Sequence, residues 1–202
     1  VTYTMAPTEQ VTLDVEKSAR ISSAAGSSTA DGAGIDYDFL GNAINNSQEA
    51  LIKFPVVFDD VTVGAIPLDR RIVKAELLVH TAAGYDNPSS HTTNAVNVHR
   101  MLQDWNTTTS FGIGGPRVGI NVAESAASMV GLGQDSTTWV DVTSIVRNWR
   151  AGAPNHGFNL KLASTDPWAF YWPGTALTGY EPKLRIITTA ADGGGTTDPF
   201  DV

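Results

Sequence analysis

The chain has no cysteine. Disulfides, thiolate zinc sites and cysteine nucleophiles are therefore excluded. It is also poor in positive charge, with 13 Lys and Arg against 21 Asp and Glu, a net charge of −8 and a pI near 4.8. Apart from Arg70-Arg71, the basic residues are scattered singly. Phosphate backbones are held by Lys/Arg patches, so a nucleic-acid partner is not expected. The same balance disfavours anionic membrane surfaces, and no apolar run has membrane-spanning length. No basic-then-apolar leader stands at the start, and Val1 is compatible with removal of a leader or of an initiator Met.

What is present suits a folded β-domain. Hydrophobic residues make up 42% and charged residues 17% of 202 residues, a globular composition long enough for one sizeable domain. The organisation expected is a polar lead-in over 1–9, a single β-sandwich domain over 10–189, and a Gly-rich tail or linker over 190–202.

The strongest pattern runs over residues 138–162. Val140 and Val142 alternate with Asp141, which predicts a half-buried strand. Thr143 or Ser144 can cap a helix, and Ile145, Val146 and Trp149 then share one helical face. Ala151-Gly152-Ala153-Pro154 stops that helix. Phe158, Leu160 and Leu162 alternate with Asn159 and Lys161 and predict a second strand.

Elsewhere, Val11, Leu13 and Val15 mark a first strand, with a short second one at Arg20-Ile21. Residues 22–34 are small and flexible and read as a loop. A strand runs from Ala50 to Phe54, and a connecting loop over 59–67. The clearest long strand covers residues 72–81, with Val73, Ala75, Leu77 and Val79 on one face. Lys74, Glu76, Leu78 and His80 share the other. The loop over 82–94 carries strong turn chemistry. Val96, Val98 and Arg100 continue in a strand, after which Leu102 and Trp105 pack. Residues 106–137 are Gly-rich and poor in alternation. Trp168 to Trp172 and Leu184 to Ile187 supply the last strands. Many short strands, frequent turns and one short helix point to an all-β fold, an antiparallel jelly-roll-like β-sandwich.

The order of these motifs resembles the DNRLRE domain family of secreted proteins. The residues that carry it are Ala50-Leu51-Ile52-Lys53-Phe54, Ile72 to Leu77, Val96-Asn97-Val98-His99-Arg100 with Trp105, Trp139 with Asp141-Val142-Thr143 and Trp149, Gly157-Phe158-Asn159-Leu160, and Pro182 to Ile186. The match covers about residues 10–189. The strand–helix–strand core also looks like the arm domain of TGF-β-type propeptides. Phe54-Pro55-Val56 departs from the family's Phe-Asp-Leu, and Phe111 stands where it has a second Trp. The resemblance implies a jelly-roll-like sandwich. Some members of that family are carbohydrate-binding modules, and others sit in cell-surface or phage particle proteins.

Candidate chemistry is sparse. Asp36, Asp38, Glu49, Asp59, Asp60 and Asp104 read as solvated acids, and Asp141 as a brace for the helix start. Asp31, Asp36 and Asp38 offer oxygen ligands for a structural calcium ion, although their spacing fits no defined calcium loop and a turn is the favoured reading. No other cofactor is expected. His80, His91, His99 and His156 lack zinc spacing. His80 and His99 fall in what read as neighbouring strands and could pair across one face, but all four read as polar surface or sheet positions and not as a site. No G-x-S-x-G elbow or phosphate-cradling loop is present, so no catalytic residue is assigned.

The aromatics carry the functional expectation. Trp168, Phe170 and Trp172 share one strand face, with Tyr171 on the other. One set belongs in the core, and the other is exposed beside Tyr85 or Tyr180. Exposed Trp and Tyr stack on sugar rings, so Trp168, Tyr171, Trp172, Tyr85 and Tyr180 are the expected ligand-binding residues. The leading expectation is a non-catalytic extracellular module that binds polysaccharide or mediates surface attachment. The alternative is a structural subunit of a virion surface, decoration layer or filament, with neighbouring protein subunits as partners in a homo-oligomeric assembly. Either places the chain outside the cell or on a particle surface.

Overall fold

The structure is a computed structural model of the chain. It describes residues 7–22, 28–30, 37–43, 46–80, 96–105, 122–129, 136–162, 168–171, 179 and 181–190. Among these lie twelve strands and one helix, numbered in chain order. β1 (Thr8–Asp14), β12 (Lys183–Ala190), β6 (Arg70–His80) and β9 (Thr137–Asp141) form one sheet in that order. The second sheet runs β11 (Trp168–Tyr171), β4 (Tyr37–Ala43), β5 (Asn46–Lys53), β10 (Phe158–Leu162), β7 (Val96–Met101) and β8 (Val122–Met129). β2 (Lys17–Ser22) pairs with β5 and with the short β3 (Ser28–Ala30). Every strand pair is antiparallel. The fold is all-β, as composition and turn spacing predict.

Alternation decides what is buried. Ala50 and Ile52 of β5, Val96 and Val98 of β7, and Phe158 and Leu160 of β10 enter one apolar cluster. The same cluster contains Ala75, Leu77 and Val79 of β6, Val140 of β9, and Leu184 and Ile186 of β12. Both sheets thus contribute to one core.

The helix α1 (Thr143–Arg150) closes that core at one edge. Ile145, Val146 and Trp149 are buried on its inner face, and each such side chain contributes about 1.5–3 kcal/mol. The Trp149 ring lies 5.0 Å from that of Phe158, which meets Phe54 edge-on at 6.0 Å. At its end, Gly152 takes φ 101°, its N–H donates to the Trp149 carbonyl, and the Ala153 N–H donates to the Asn148 carbonyl. This paired closure is a Schellman motif, which needs a left-handed residue after the cap.

The helix start differs from the prediction. Val142 holds the N-cap position and makes no side-chain cap bond. The Thr143 hydroxyl is instead engaged by β6, accepting the Ala75 N–H at 2.9 Å. Asp141 does brace the start, accepting the Thr143 N–H at 2.9 Å.

Four further readings are corrected. Val73 is exposed and Ile72 is buried in its place, because Lys74 pairs with Ile187 and Ile72 with Thr188. Val73 is therefore the extra residue of a β-bulge, which re-phases the strand. His80 and His99 are not neighbours: β6 and β7 belong to different sheets, and His80 Nδ1 instead meets the Thr137 hydroxyl at 2.8 Å. β3 and β8 occupy stretches that read as loops, where Ala, Ser and Thr give no hydrophobic alternation. Leu102 is exposed while Trp105 is buried, its Nε1–H donating to the His156 carbonyl at 2.7 Å.

Two glycines with positive φ separate conformational from steric cost. Gly152 has open space where a Cβ would stand, whereas a Cβ on Gly157 would collide with the Ile52 carbonyl and sit 3.0 Å from Lys53 Cα. Gly152→Ala is expected to cost about 1 kcal/mol, and Gly157→Ala about 3 kcal/mol or more, in urea unfolding. Equal losses would show that the β5–β10 approach at Gly157 is not as tight as described.

Candidate functional site: the outer face of the small sheet

Residues between the core positions of β1, β12, β6 and β9 point away from the core. Register sets them in rows across the sheet. Asp14, Lys183, Leu78 and Trp139 stand side by side, and Thr12, Arg185, Glu76 and Asp141 form the next row. Gln10, Ile187 and Lys74 form a third. Four strands spaced by about 4.8 Å make this a broad surface.

Trp139 is the exposed aromatic on this face, with 37% of its surface accessible, while Trp105 and Trp149 are buried. Inward Val140 and Val142 fix its direction, since neighbours in a strand alternate. The Arg185 guanidinium stacks over the indole at 4.0 Å from the ring centroid. The same guanidinium donates from Nε and Nη2 to Glu76 Oε2, at 3.0 and 2.6 Å. Lys74 Nζ reaches the other Glu76 oxygen at 2.6 Å. Lys183 pairs with Asp14 across β1 and β12.

These contacts set the electrostatics. The Glu76 pKa is lowered, chiefly by the Lys74 hydrogen bond and then by Arg185, against a burial effect that works the other way. For Asp141, partial burial raises the pKa, but the Thr143 hydroxyl and N–H, with the charges of Lys74 and Arg147, outweigh it, so the net shift is downward. Glu76 and Asp141 face each other across β6 and β9, and both are held as anions.

Two of the expected ligand-binding residues fall elsewhere. Trp168 and Tyr171 lie in β11, in the other sheet, opposite Leu40 and Tyr37 of β4. Trp172, Tyr85 and Tyr180 lie outside the described residues, as do Asp31 and Asp36 of the calcium reading. Asp38 is in β4, opposite Phe170. Among the described residues, no three His, Asp or Glu side chains gather as metal ligands.

Other acids are engaged in the fold. Glu49 is not a solvated acid: it is 3% exposed, and Asn159 Nδ2 donates to it at 2.9 Å with Lys161 Nζ at 3.8 Å. Asp59 accepts the Thr62 hydroxyl and the N–H groups of Thr62 and Val61, which lower its pKa. Asp60 accepts the Leu68 N–H at 2.7 Å. With Asp69, Thr62 and Arg70 they line an open hollow of about 470 Å³, and their bonds brace the loop over 59–68.

No protein-family model and no curated protein matches this chain. Trp139 was readable as outward-facing from its place between Thr138 and Val140, but Glu76, Arg185 and Lys74 join it only through strand pairing.

A pH dependence follows for Glu76. Its folded pKa lies below its unfolded one, so its stabilisation is present at neutral pH and is lost as pH falls through the folded value. The melting temperature should decline below about pH 4.5. Glu76→Gln should lower it at pH 7 and flatten that acid decline. An unchanged acid profile in the variant would remove Glu76 from the stabilising network.

Proposed function

We propose that the chain is a non-catalytic extracellular β-sandwich module that binds polysaccharide or mediates surface attachment, with Trp139 as its anchor. The supporting observation is an exposed indole on a sheet face whose rim carries hydroxyl, amide, guanidinium and carboxylate groups. Sugar rings present C–H groups to an aromatic surface and hydroxyls to the groups around it. The DNRLRE resemblance supports the same class of ligand.

The carboxylates favour binding over hydrolysis. A glycosidase needs one carboxyl held protonated as the acid beside an ionised partner. Glu76 and Asp141 are adjacent, but both pKa values are lowered. Neither group has the environment of a general acid.

The second reading, a structural subunit of a virion surface, decoration layer or filament, has its own observation. Val61 and Val63 are 89% and 101% exposed at the tip of a loop that Asp59 and Asp60 brace. Two valines held out in water suit insertion into a neighbouring subunit.

Retention on insoluble polysaccharides separates these readings. Trp139→Ala should weaken retention by about tenfold to hundredfold, the size of an aromatic anchor. The combined Trp168→Ala, Tyr171→Ala, Trp172→Ala variant should bind like the parent. The opposite pattern would move the site to the 168–172 segment. Concentration-dependent light scattering that Val61→Asp and Val63→Asp abolish would favour the subunit.

A further inference from the structure

We infer that the ligand of the Trp139 face is an uncharged, hydroxyl-rich polysaccharide rather than a polyuronate or a sulfated glycan. The inference rests on the binding reading above and concerns which class of polymer that face accepts.

Charge accounting on the face carries it. Over the three rows its cations are Lys74, Lys183 and Arg185, and its carboxylates are Asp14, Glu76 and Asp141; Arg71 stands one row beyond them, beside Thr189, and His80 at the other end is turned to Thr137. Within those three rows three cations meet three carboxylates, so the surface around Trp139 has no net charge to attract an anionic polymer. Each cation is also already paired within the protein, Lys74 and Arg185 with Glu76 and Lys183 with Asp14. A uronate or sulfate would have to displace Glu76 or Asp14 and would then meet those acids as like charges. The protein's overall charge of −8 adds a further repulsion.

A neutral polymer meets no such obstacle. The indole and the stacked guanidinium give it a flat surface, and the Arg185 bonds to Glu76 use Nε and Nη2 only, leaving Nη1 outside that pair. Thr12 and Gln10 add uncharged partners in the adjacent rows.

Affinity electrophoresis of the intact chain in gels containing hydroxyethyl cellulose, xylan, polygalacturonate or heparin tests this, at about 0.05 M and about 0.5 M NaCl. Retardation by a neutral polymer is expected, with a dissociation constant that changes by less than about twofold between the two salts. Trp139→Ala should lose at least about tenfold of that affinity, and Trp139→Phe should recover part of it. Circular dichroism establishes that both variants are folded, and the salt series on the parent chain needs neither. Stronger retardation by polygalacturonate or heparin, falling about tenfold or more with salt, would overturn neutrality while leaving the binding role intact. No retardation by any of the four polymers would overturn the binding role itself.

Discussion

The molecule depends on how one half of β6 finds its hydrogen-bond partners. A buried strand cannot leave its carbonyls and N–H groups unpaired without a cost of about 1–3 kcal/mol each. β12 covers one edge of β6 from Arg70 to Leu78, but β9 covers the other only from Glu76 to His80. Beyond that point the chain has turned into α1. The helix takes over the edge with residues spaced i, i+4 and i+7. The Val142 N–H and the Thr143 hydroxyl meet Ala75, Arg147 donates to the Ile72 carbonyl, and Arg150 to the Leu68 carbonyl. One helical face thus replaces a strand for the backbone while the adjacent face buries Ile145, Val146 and Trp149.

The same arrangement shapes the candidate site. Because β9 ends at Asp141, it is a short edge strand, and edge strands leave their outward side chains open to solvent. Trp139 stands in the middle of it. Val140, one residue on, is tied into the core, so the indole cannot rotate inward without reversing the strand's alternation. The Val73 bulge contributes from the other end. It lets Ile72 enter the core and leaves Lys74 and Glu76 on the outer face, in reach of each other and of Arg185.

Local patterns in the sequence carry most of the small sheet and the helix. Val11 and Leu13, Leu184 and Ile186, and Ile145, Val146 and Trp149 all stand on the faces their spacing predicts. What depends on partners was not legible. The bulge at Val73 exists only in relation to β12, and nothing in Ile72-Val73-Lys74 announces it. The Thr143 hydroxyl looked like a cap because a cap is its commonest local use, yet a sheet edge distant in sequence competes for it. β8 escaped notice because its Ala and Ser residues lack the apolar alternation that marks a strand. The site followed the same division: the outward direction of Trp139 is local, while its neighbours are a property of register.

Register also explains why the Trp139 face is built from closed ion pairs. An antiparallel sheet with unpaired outer cations or acids would repel itself across strands, since facing side chains lie about 5 Å apart. Alternating Lys183 with Asp14, and Arg185 and Lys74 with Glu76, offsets that repulsion, which persists between Glu76 and Asp141, and positions the guanidinium over the indole. The stacking thus follows from sheet stability and needs no ligand to hold it in place. A platform held by its own charge pairs is ordered before binding, so a ligand does not bear the entropic cost of fixing those side chains. It also has little free charge to offer. Under the proposed binding role, the constraint that stabilises the face therefore narrows its contacts toward shape and hydroxyls and away from charge.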